Sequence, residues 1–325
     1  MILAAMMCVS LAACGGDSGG SSNGSGAADT QGASQSDSGT PAQEPLKIGV
    51  IAKYQHEFYM TMFDGARKAA EELGASIECN NPSSPQDAMV QVQQVEDIVA
   101  KNVDILVIVP NQPDTLASAL AKAHEQGITI VAADTDFDYE YKVSYAGTGN
   151  EEAGSTVAER LCENLPDDAN VVVMRGPLGG VSFDQRVAGV TKTLEAKGVN
   201  ILEVVDAESV ADKAASKTED LIQKYGEKMN AIICLDDNMT PGAVTAIRQA
   251  NMIGKILVTG FDAGSSVLEM IKSGEVLLDV AQNPYNMGYE AVMAGFAAHN
   301  GETVDPIIDT GVTVIDASNV DEHLG

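Results

Sequence analysis

The strongest constraint on the fold is a regular alternation of short apolar runs with longer amphipathic segments, which begins at Leu46 and continues through the rest of the chain. Apolar runs rich in Val, Ile and Ala are typical of strands buried on both faces. The segments between them repeat apolar residues at helical spacing. Because a strand, a helix and a second strand return the chain to its original direction, the alternation predicts an α/β fold with parallel sheets covered by helices.

The pattern predicts eleven strands and nine helices. The strands are expected at residues 47–52, 76–79, 105–109, 128–132, 143–146, 171–174, 201–205, 231–235, 256–259, 276–281 and 312–315. The helices are expected at residues 59–73, 86–101, 114–126, 151–164, 183–196, 211–225, 239–251, 265–272 and 287–299. A glycine ends several of these helices, which is typical of helix termini, and these glycines are Gly74, Gly127, Gly198 and Gly226.

Eleven strands exceed what one small doubly wound sheet needs, and 325 residues exceed what one hydrophobic core usually serves. We therefore expect two lobes, each with a sheet of five or six strands. A (βα)8 barrel is the competing architecture, but its strand number does not fit and its phosphate-binding glycine loops are missing from the sequence.

The charge balance argues against a nucleic-acid partner. The net charge is −28, from 47 acidic and 19 basic residues, and no basic stripe interrupts it. Such a chain repels a phosphate backbone. We interpret the acidic residues as a solubilising surface.

The N-terminal segment reads as a lipoprotein signal. Residues 1–13 are apolar and small, and Leu11-Ala12-Ala13 precedes Cys14. The segment resembles bacterial lipoproteins, in which the Cys thiol, a good nucleophile, receives a diacylglyceryl group and becomes the new N-terminus. A signal peptide usually begins with a basic residue, whereas the first one here is Lys47.

Residues 14–45 are rich in Gly, Ser, Asp, Ala and Gln and show neither strand nor helix periodicity. We expect this stretch, after the lipidated Cys14, to be a flexible tether. Two or three acyl chains give a stable anchor. The order of anchor, tether and globular body predicts an extracytoplasmic protein that is lipid-anchored to the cell membrane.

Cysteine and histidine usage gives no indication of a disulfide framework, a metal site or a cofactor. The cysteines of the body are Cys79, Cys162 and Cys234, an odd number in strand-like and helical patterns, and we expect buried, inert thiols. The histidines are scattered and form no cluster with zinc-ligand spacing.

Four predicted strands are followed by acidic or amide residues. These are Asp134, Asp236 with its neighbour Asp237, Asp262 and Gln282. Ligands of open parallel sheets bind beyond the carboxyl ends of the strands, and an ionised Asp accepts hydrogen bonds from adjacent hydroxyl groups. The alternative for each Asp is an N-cap of the next helix. As a group, they favour a polyhydroxylated ligand.

The first strand is followed by aromatic residues, and Phe58 and Tyr59 stand at the start of a helix. Aromatic faces pack against the C–H side of a sugar ring, although such a pair also occurs in cores. With these two residues, the motifs that follow resemble ribose/galactose/allose-type periplasmic sugar-binding proteins. They are Asp64-Gly65-Ala66, Asp134, Arg186 with Gly189, Asp236-Asp237-Asn238-Met239, Gly260-Phe261-Asp262 and Gln282.

The resemblance covers the chain from Leu46 onward and implies two Rossmann-like lobes with parallel sheets, joined by a three-strand hinge near Thr148, Gln282 and Gly311. It implies an N-terminal lobe of residues 46–148 plus 283–311 and a C-terminal lobe of residues 149–282 plus 312–325. It also implies an aromatic pair that sandwiches the sugar, an aromatic from the other lobe, and hydrogen-bonding residues. The site residues expected on this basis are His56, Phe58, Tyr59, Asp134, Thr135, Arg186, Asp236, Asp262 and Gln282.

Four positions depart from ribose binders of the family. Thr135 stands where they carry Arg, His56 and Asp236 replace Asn, and Ser209 replaces Phe. The pocket is therefore expected to be more acidic and less basic, without an aromatic on the opposite wall. The ligand is then expected to be another pentose or hexose, a polyol or inositol, an autoinducer-like furanone diol, or an amino sugar, rather than ribose.

The resemblance implies a monomer that captures its ligand and delivers it to the permease of an ABC importer. A sensor lipoprotein that presents the ligand to a chemoreceptor or histidine kinase is the alternative, and neighbouring genes would distinguish the two. A glycosidase needs only two carboxylates, but the Asp residues are expected on opposed lobes, and the sequence contains no nucleophile elbow or P-loop. Repressors with a similar core begin with a helix-turn-helix, unlike this chain.

Overall fold

The computed structural model describes residues 45–84 and 87–324. The expected signal peptide, the lipidated Cys14 and the tether lie outside the described residues. None of the helices within the described ranges combines the length and the apolar character needed to cross a membrane.

The described residues form twelve strands and nine α-helices. The strands are β1 (Lys47–Ile51), β2 (Ser76–Asn80), β3 (Ile105–Ile108), β4 (Thr129–Ala133), β5 (Lys142–Gly147), β6 (Asn170–Arg175), β7 (Asn200–Asp206), β8 (Ala231–Cys234), β9 (Leu257–Phe261), β10 (Leu278–Gln282), β11 (Ile307–Asp309) and β12 (Val312–Asp316). The helices are α1 (Glu57–Leu73), α2 (Ala88–Ala100), α3 (Pro113–Glu125), α4 (Asn150–Cys162), α5 (Val181–Ala196), α6 (Ala211–Tyr225), α7 (Met239–Gln249), α8 (Ser265–Lys272) and α9 (Pro284–His299).

The strands are divided between two six-stranded sheets. The first sheet has the order β11-β5-β4-β3-β1-β2, and the second has the order β12-β10-β9-β8-β6-β7. Apart from β12, all paired strands are parallel. The predicted α/β class with two parallel-dominated sheets is therefore confirmed, and a single closed barrel is not what these residues form.

Two details of the sheets differ from the sequence prediction. Strand β11 was not predicted, because it has only three residues and follows Pro306. Strand β12 pairs antiparallel with β10, although parallel sheets were expected. The physical reason is that β12 follows β11 of the first sheet after only two residues, Thr310 and Gly311. Strand β11 ends at the carboxyl edge of the first sheet, and two residues reach only the facing carboxyl edge of the second sheet. Strand β12 therefore runs opposite to β10, because a parallel strand would need a long crossover connection to the other edge of the sheet.

The chain passes between the sheets at three places, namely after β5, after β10 and between β11 and β12. We propose that the N-terminal lobe comprises residues 46–148 plus 283–311 and the C-terminal lobe residues 149–282 plus 312–325, since this division keeps each sheet with the helices packed on it. The carboxyl ends of strands from both sheets contribute residues to one cavity between the lobes.

Each sheet is covered by apolar side chains on both faces, which form four buried clusters. The cysteines differ in burial from what was expected. Cys234 is buried, but Cys79 and Cys162 are only half-buried, because they lie on an edge strand and in the last turn of a helix. Burial raises the pKa of the Cys79 thiol to about 11, so this thiol stays protonated at neutral pH.

Helices α4 and α5 cross closely through two glycines. A Cβ on Gly154 would lie 2.2 Å from the Arg186 carbonyl oxygen, and one on Gly189 would lie 1.9 Å from the Glu151 carbonyl oxygen. No larger side chain fits between the two backbones at these positions. This crossing fixes the position of α5, which carries the Arg186 side chain to the cleft.

Candidate functional site

The candidate site is a cleft that encloses about 650 Å³ of space, part of it open to solvent. It lies where the carboxyl ends of strands from the two sheets face each other. Its lining combines acidic, basic, amide and aromatic side chains. The lining residues are Lys53, Tyr54, His56, Phe58, Tyr59, Asp134, Ser182, Phe183, Arg186, Ser209, Asp236, Asp237, Asn238, Asp262 and Gln282.

Asp134 is the acidic centre of the N-terminal lobe's contribution. It follows β4 in a left-handed backbone conformation with φ of 56°. Its Oδ2 accepts hydrogen bonds from the Tyr59 hydroxyl at 3.2 Å and the Thr135 hydroxyl at 3.0 Å. Lys53 Nζ lies 3.2 Å from the same oxygen. The Tyr145 hydroxyl donates to the Asp134 carbonyl oxygen at 2.9 Å, so the turn and the side chain are both held.

Lys53 changes the expected charge of the pocket. The sequence predicted a pocket with less positive charge, because Thr135 stands where ribose binders carry Arg. In the fold, Lys53 reaches from the end of β1, pairs with Asp134 and donates a hydrogen bond to the Thr135 hydroxyl. A cation therefore lies beside Asp134 after all. Thr135 lines an adjoining cavity and contacts the site through Lys53 and Asp134.

Arg186 is a buried cation of the C-terminal lobe, with 4% of its surface exposed. Its Nε donates to Asn150 Oδ1 at 2.8 Å, and its Nη1 donates to the Leu235 carbonyl oxygen at 2.8 Å. The guanidinium carbon lies 3.9 Å from the Phe261 ring centroid, a cation–π contact. Nη1 also lies 3.6 Å from Asp262 Oδ2. These contacts hold the guanidinium group rigidly at the cavity wall.

Asp262 and Gln282 form a connected pair at the ends of neighbouring strands β9 and β10. Gln282 Nε2 donates to Asp262 Oδ1 at 2.6 Å. Gln282 Oε1 is buried and has no hydrogen-bond partner among the described residues. An unpaired buried acceptor at a cavity wall is available for a ligand hydroxyl group. Burial raises the pKa of Asp262, although the nearby Arg186 charge and the Gln282 hydrogen bond act in the opposite direction.

Asp236 and Asp237 follow β8 and have no Lys or Arg within salt-bridge distance in the described part of the chain. Asp236 Oδ1 accepts from the Met239 amide at 3.0 Å, so it also caps α7. Burial raises the pKa of Asp236. Burial, followed by the negative charges of Asp262, Asp236 and Glu57, raises the pKa of Asp237 to about 8. A carboxyl group with such a pKa is largely protonated at neutral pH and can donate a hydrogen bond.

Aromatic rings line both sides of the cavity. Tyr54, Phe58 and Tyr59 stand on the N-terminal side, with edge-on packing of Phe58 against Tyr59 at 5.3 Å between ring centroids. Burial, and then the Asp134 charge, raises the pKa of Tyr59, which stays a neutral hydrogen-bond donor. The expectation of a wall without an aromatic was wrong, because Phe183 of α5 lines the opposite side. Phe183 and Ser209 lie close together, since both would contact a Cβ on Gly176.

Two polar contacts join the lobes at the edge of the cavity. His56 Nε2 lies 3.8 Å from Asp237 Oδ2. Glu57 Oε1 and Oε2 accept from the Ser265 amide and hydroxyl groups, each at 3.4 Å. Helix α8 has no capping side chain of its own, because its N-cap is Gly264. The Glu57 carboxylate therefore caps a helix of the other lobe.

The fold brings eight of the nine predicted site residues to the lining of one cavity, and Thr135 lies directly beside it. Sequence reasoning missed Lys53, Tyr54, Ser182 and Phe183 as members of the site, and it named Ser209, Asp237 and Asn238 without including them among the nine expected site residues. Asp237 and Tyr54 carried a signal, since both stand next to strand ends. Phe183 carried none, because it lies in an amphipathic helix pattern where an apolar residue is expected in the core.

No group of three or more His, Cys, Asp or Glu side chains within residues 45–84 and 87–324 is arranged to hold a metal ion. The polar groups of the cavity are instead directed at one shared space from several strand ends. Residues 48–303 match the family described as periplasmic binding protein domain. The chain belongs to this family.

Several similar proteins are named for a sugar or were solved with a sugar bound. The ribose import binding protein of Haemophilus influenzae is 27% identical over 278 residues, which cover 86% of this chain and 93% of the relative. The fructose import binding protein of Bifidobacterium longum is 26% identical, and the match covers 100% of this chain and 95% of the relative. A solute-binding protein of Agrobacterium vitis, solved with α-D-tagatopyranose, is 29% identical, with a TM-score of 0.77 and coverage of 85% and 96%. The sugar-binding family predicted from the site motifs is thus confirmed.

Proposed function

We propose that this binding protein captures a small polyhydroxylated ligand, a monosaccharide or a sugar-like molecule, outside the cytoplasm and delivers it to an ABC import permease. The observation that carries the proposal is the convergence of Asp134, Arg186, Asp262 and Gln282 on one cavity flanked by aromatic rings. Fixed charged and amide groups bind hydroxyl pairs, and ring faces bind the C–H side of a sugar. The names of the relatives support the same ligand class.

The mechanism is capture by closure of the two lobes. Asp134 and Lys53 come from one lobe, and Arg186, Asp236 and Asp262 come from the other. A ligand that contacts both sets binds the closed arrangement more tightly than an open one, so it shifts the population toward closure. The permease then recognises the closed form. No covalent step is assigned to the protein.

The charge of the site favours a neutral or cationic ligand over an acidic one. Lys53 pairs with Asp134, and Arg186 is surrounded by acceptors. Asp236 and Asp237 remain without a Lys or Arg partner among the described residues. A ligand carboxylate would add a negative charge next to these groups, which is unfavourable in a buried site.

A thermal-shift screen of the purified protein against pentoses, hexoses, polyols, inositols and amino sugars tests the ligand class. We expect stabilisation by one or a few of these compounds, followed by a dissociation constant from calorimetry. Glucuronate and galacturonate are matched controls for glucose and galactose and should not bind. Stabilisation by none of the neutral or amino compounds would overturn the proposal, and release of a hydrolysed product from glycosides would indicate an enzyme instead.

We also propose that Cys14 is lipidated and that residues 14–45 tether the body to the membrane as a monomer. The sequence Leu11-Ala12-Ala13-Cys14 supports this proposal. Labelling cells with a radioactive or clickable fatty acid should label the wild-type protein, and Cys14→Ser should abolish the label. Neighbouring genes for a permease and an ATPase would support import, whereas a histidine kinase gene without them would support the sensor alternative.

A further inference from the structure

Asp279 is a buried acid whose role the site described above does not explain. It lies within β10 and is 0% exposed. Its Oδ1 accepts a hydrogen bond from the Ala263 amide at 2.9 Å. Its Oδ2 is buried and has no hydrogen-bond partner among the described residues. A buried carboxyl group with an unsatisfied oxygen is unfavourable for folding, so its presence points to a requirement of the site.

The amide that Asp279 binds belongs to a strained turn. Asp262 and Ala263 have φ values of 75° and 48°. Residues with a Cβ are disfavoured in this left-handed region, and here two of them stand in succession. The turn is held to β10 by two hydrogen bonds, from the Asp262 amide to the Val280 carbonyl oxygen at 3.2 Å and from the Ala263 amide to Asp279. Of these two hydrogen bonds, the first is accepted by a backbone oxygen and the second by the Asp279 side chain.

The neighbouring strand leaves room for the Asp279 carboxyl group. Gly260 of β9 is the register partner of Asp279. A Cβ on Gly260 would lie 2.4 Å from Asp279 Oδ2. The missing side chain at Gly260 therefore allows the carboxyl group to pass over β9 and reach the Ala263 amide beyond the strand end.

The expected protonation state of Asp279 is compatible with a role in holding the Asp262–Ala263 turn. Burial, and then the Asp262 charge, raises the pKa of Asp279 well above its ordinary value, with Asp237 acting in the same direction and Arg186 in the opposite one. A neutral acid still accepts the Ala263 hydrogen bond through Oδ1. It does so without placing another negative charge behind Asp262.

We propose that Asp279 is a positioning residue for ligand binding. By holding the left-handed Asp262–Ala263 turn against β10, it aims the Asp262 carboxylate into the cavity and keeps it in reach of Gln282 and Arg186. The proposal rests on the function proposed above, because it assigns Asp262 to ligand contact.

The test compares Asp279→Leu with Asp279→Asn in the full chain. Leu removes the acceptor, whereas Asn keeps an oxygen that can accept from Ala263. The first measurement is hydrogen exchange at the Ala263 amide without added sugar. The second is the dissociation constant for the compound that gives the largest thermal shift among D-arabinose, D-allose, D-tagatose and xylitol.

We expect Leu to speed exchange at Ala263 and to weaken binding about tenfold or more, as for loss of one buried hydrogen bond. Asn should restore both values to within about threefold of wild type. Thr259→Val is the control, because Thr259 is also buried in the sheet with a hydroxyl oxygen that has no hydrogen-bond partner among the described residues, and its register partners are Leu278 and Ile233 rather than residues of the turn. Gly260→Ala disturbs the same contact independently and should act like Asp279→Leu if the Leu variant fails to fold.

Binding by Asp279→Leu within about threefold of wild type, unchanged exchange at Ala263, or equal losses for Leu and Asn would overturn the proposal. If none of the pentoses, hexoses, polyols, inositols and amino sugars of the screen binds the wild-type protein, the proposed function fails. The exchange measurement still decides, without any sugar, whether Asp279 holds the turn.

Discussion

At the scale of single residues, the site is defined by carboxyl groups in unlike surroundings. Asp134 is paired with Lys53 and accepts two hydroxyl groups, so it is expected to act as a charged acceptor. Asp237 lies near the acidic groups of Asp262, Asp236 and Glu57, and the His56 imidazole approaches it from the opposite lobe. The same residue type therefore supplies a lysine-paired acceptor on one side of the cavity and a largely neutral acid on the other.

Replacing Asp134 by Asn should weaken ligand binding without unfolding the protein. Asn is among the residues that best tolerate a left-handed backbone, and it retains the shape of the side chain. Loss of a charged acceptor is worth about 1.5–3 kcal/mol, or roughly 10–100-fold in the dissociation constant. Calorimetry with the ligand found in the screen measures this change in the dissociation constant. Asp64→Asn, on the exposed side of α1, is the control, and wild-type affinity of Asp134→Asn would remove Asp134 from the site.

Replacing Asp237 by Asn should raise the melting temperature at pH 8 more than at pH 4. The pKa of Asp237 is raised from 3.8 to about 8 in the folded state. Between these pH values the folded state holds a proton that the unfolded state has released, so stability falls as the pH rises. Asn removes this loss of unfolding free energy, which we expect to be roughly 1–3 kcal/mol at pH 8 after allowance for solvent screening.

Melting curves of both proteins from pH 4 to pH 8 measure the difference. Asp212→Asn, an exposed carboxylate in the first turn of α6, serves as the control. A stabilisation by Asp237→Asn that is equal at pH 4 and pH 8 would contradict the assignment of the raised pKa.

At the scale of elements, the position of the ligand-binding side chains depends on how closely helices approach. Helix α5 brings Phe183 and Arg186 to the cavity. Its distance from α4 is set by the two glycines of the crossing, Gly154 and Gly189. This close crossing is difficult to predict from the sequence, because a single glycine within a helix also occurs for other reasons.

Gly189→Ala should therefore affect both stability and binding. The added Cβ would lie 1.9 Å from the Glu151 carbonyl oxygen, so α5 must shift. Overpacking of this kind lowers the unfolding free energy by about 1–3 kcal/mol, and the shift should displace Arg186 and weaken binding. Denaturant unfolding and calorimetry measure the two effects. Ala188→Ser on the exposed face of α5 should change neither, and a Gly189→Ala protein with unaltered stability would show that the crossing can relax.

At the scale of the whole molecule, contacts between the lobes bear on the proposed closure around the ligand. The Glu57 carboxylate of one lobe caps α8 of the other through Ser265. Glu57 is not part of the cavity lining that surrounds Arg186 and Asp262. It can therefore favour the closed arrangement without contacting the ligand.

Glu57→Ala should reduce the apparent affinity several-fold, because apparent affinity falls with the fraction of molecules in the closed arrangement. Small-angle scattering without ligand should show a larger radius of gyration than for wild type, and saturating ligand should restore compactness. Glu71→Ala, at the exposed end of the same helix, is the matched control. Equal affinity and equal radius for Glu57→Ala and wild type would show that this contact does not influence closure.

The sequence by itself determined the element types and the family. Strand-like apolar runs and helical periodicity are local patterns, and they placed all nine helices and eleven of the twelve strands in the described residues. Strand-end residues such as Asp134, Asp262 and Gln282 could be predicted for the same reason, because parallel strands bring their carboxyl ends to one edge.

Only the tertiary structure decided which distant side chains meet. Lys53 takes up the position beside Asp134 and Thr135 because β1 and β4 end at the same cleft, although 81 positions separate Lys53 from Asp134. Phe183 reaches the wall because the glycines of α4 and α5 let the helices approach. Asp279 meets Ala263 across a neighbouring strand. Such contacts depend on sheet order and helix crossing, which local periodicity does not encode, and they determine the charge and shape of the site.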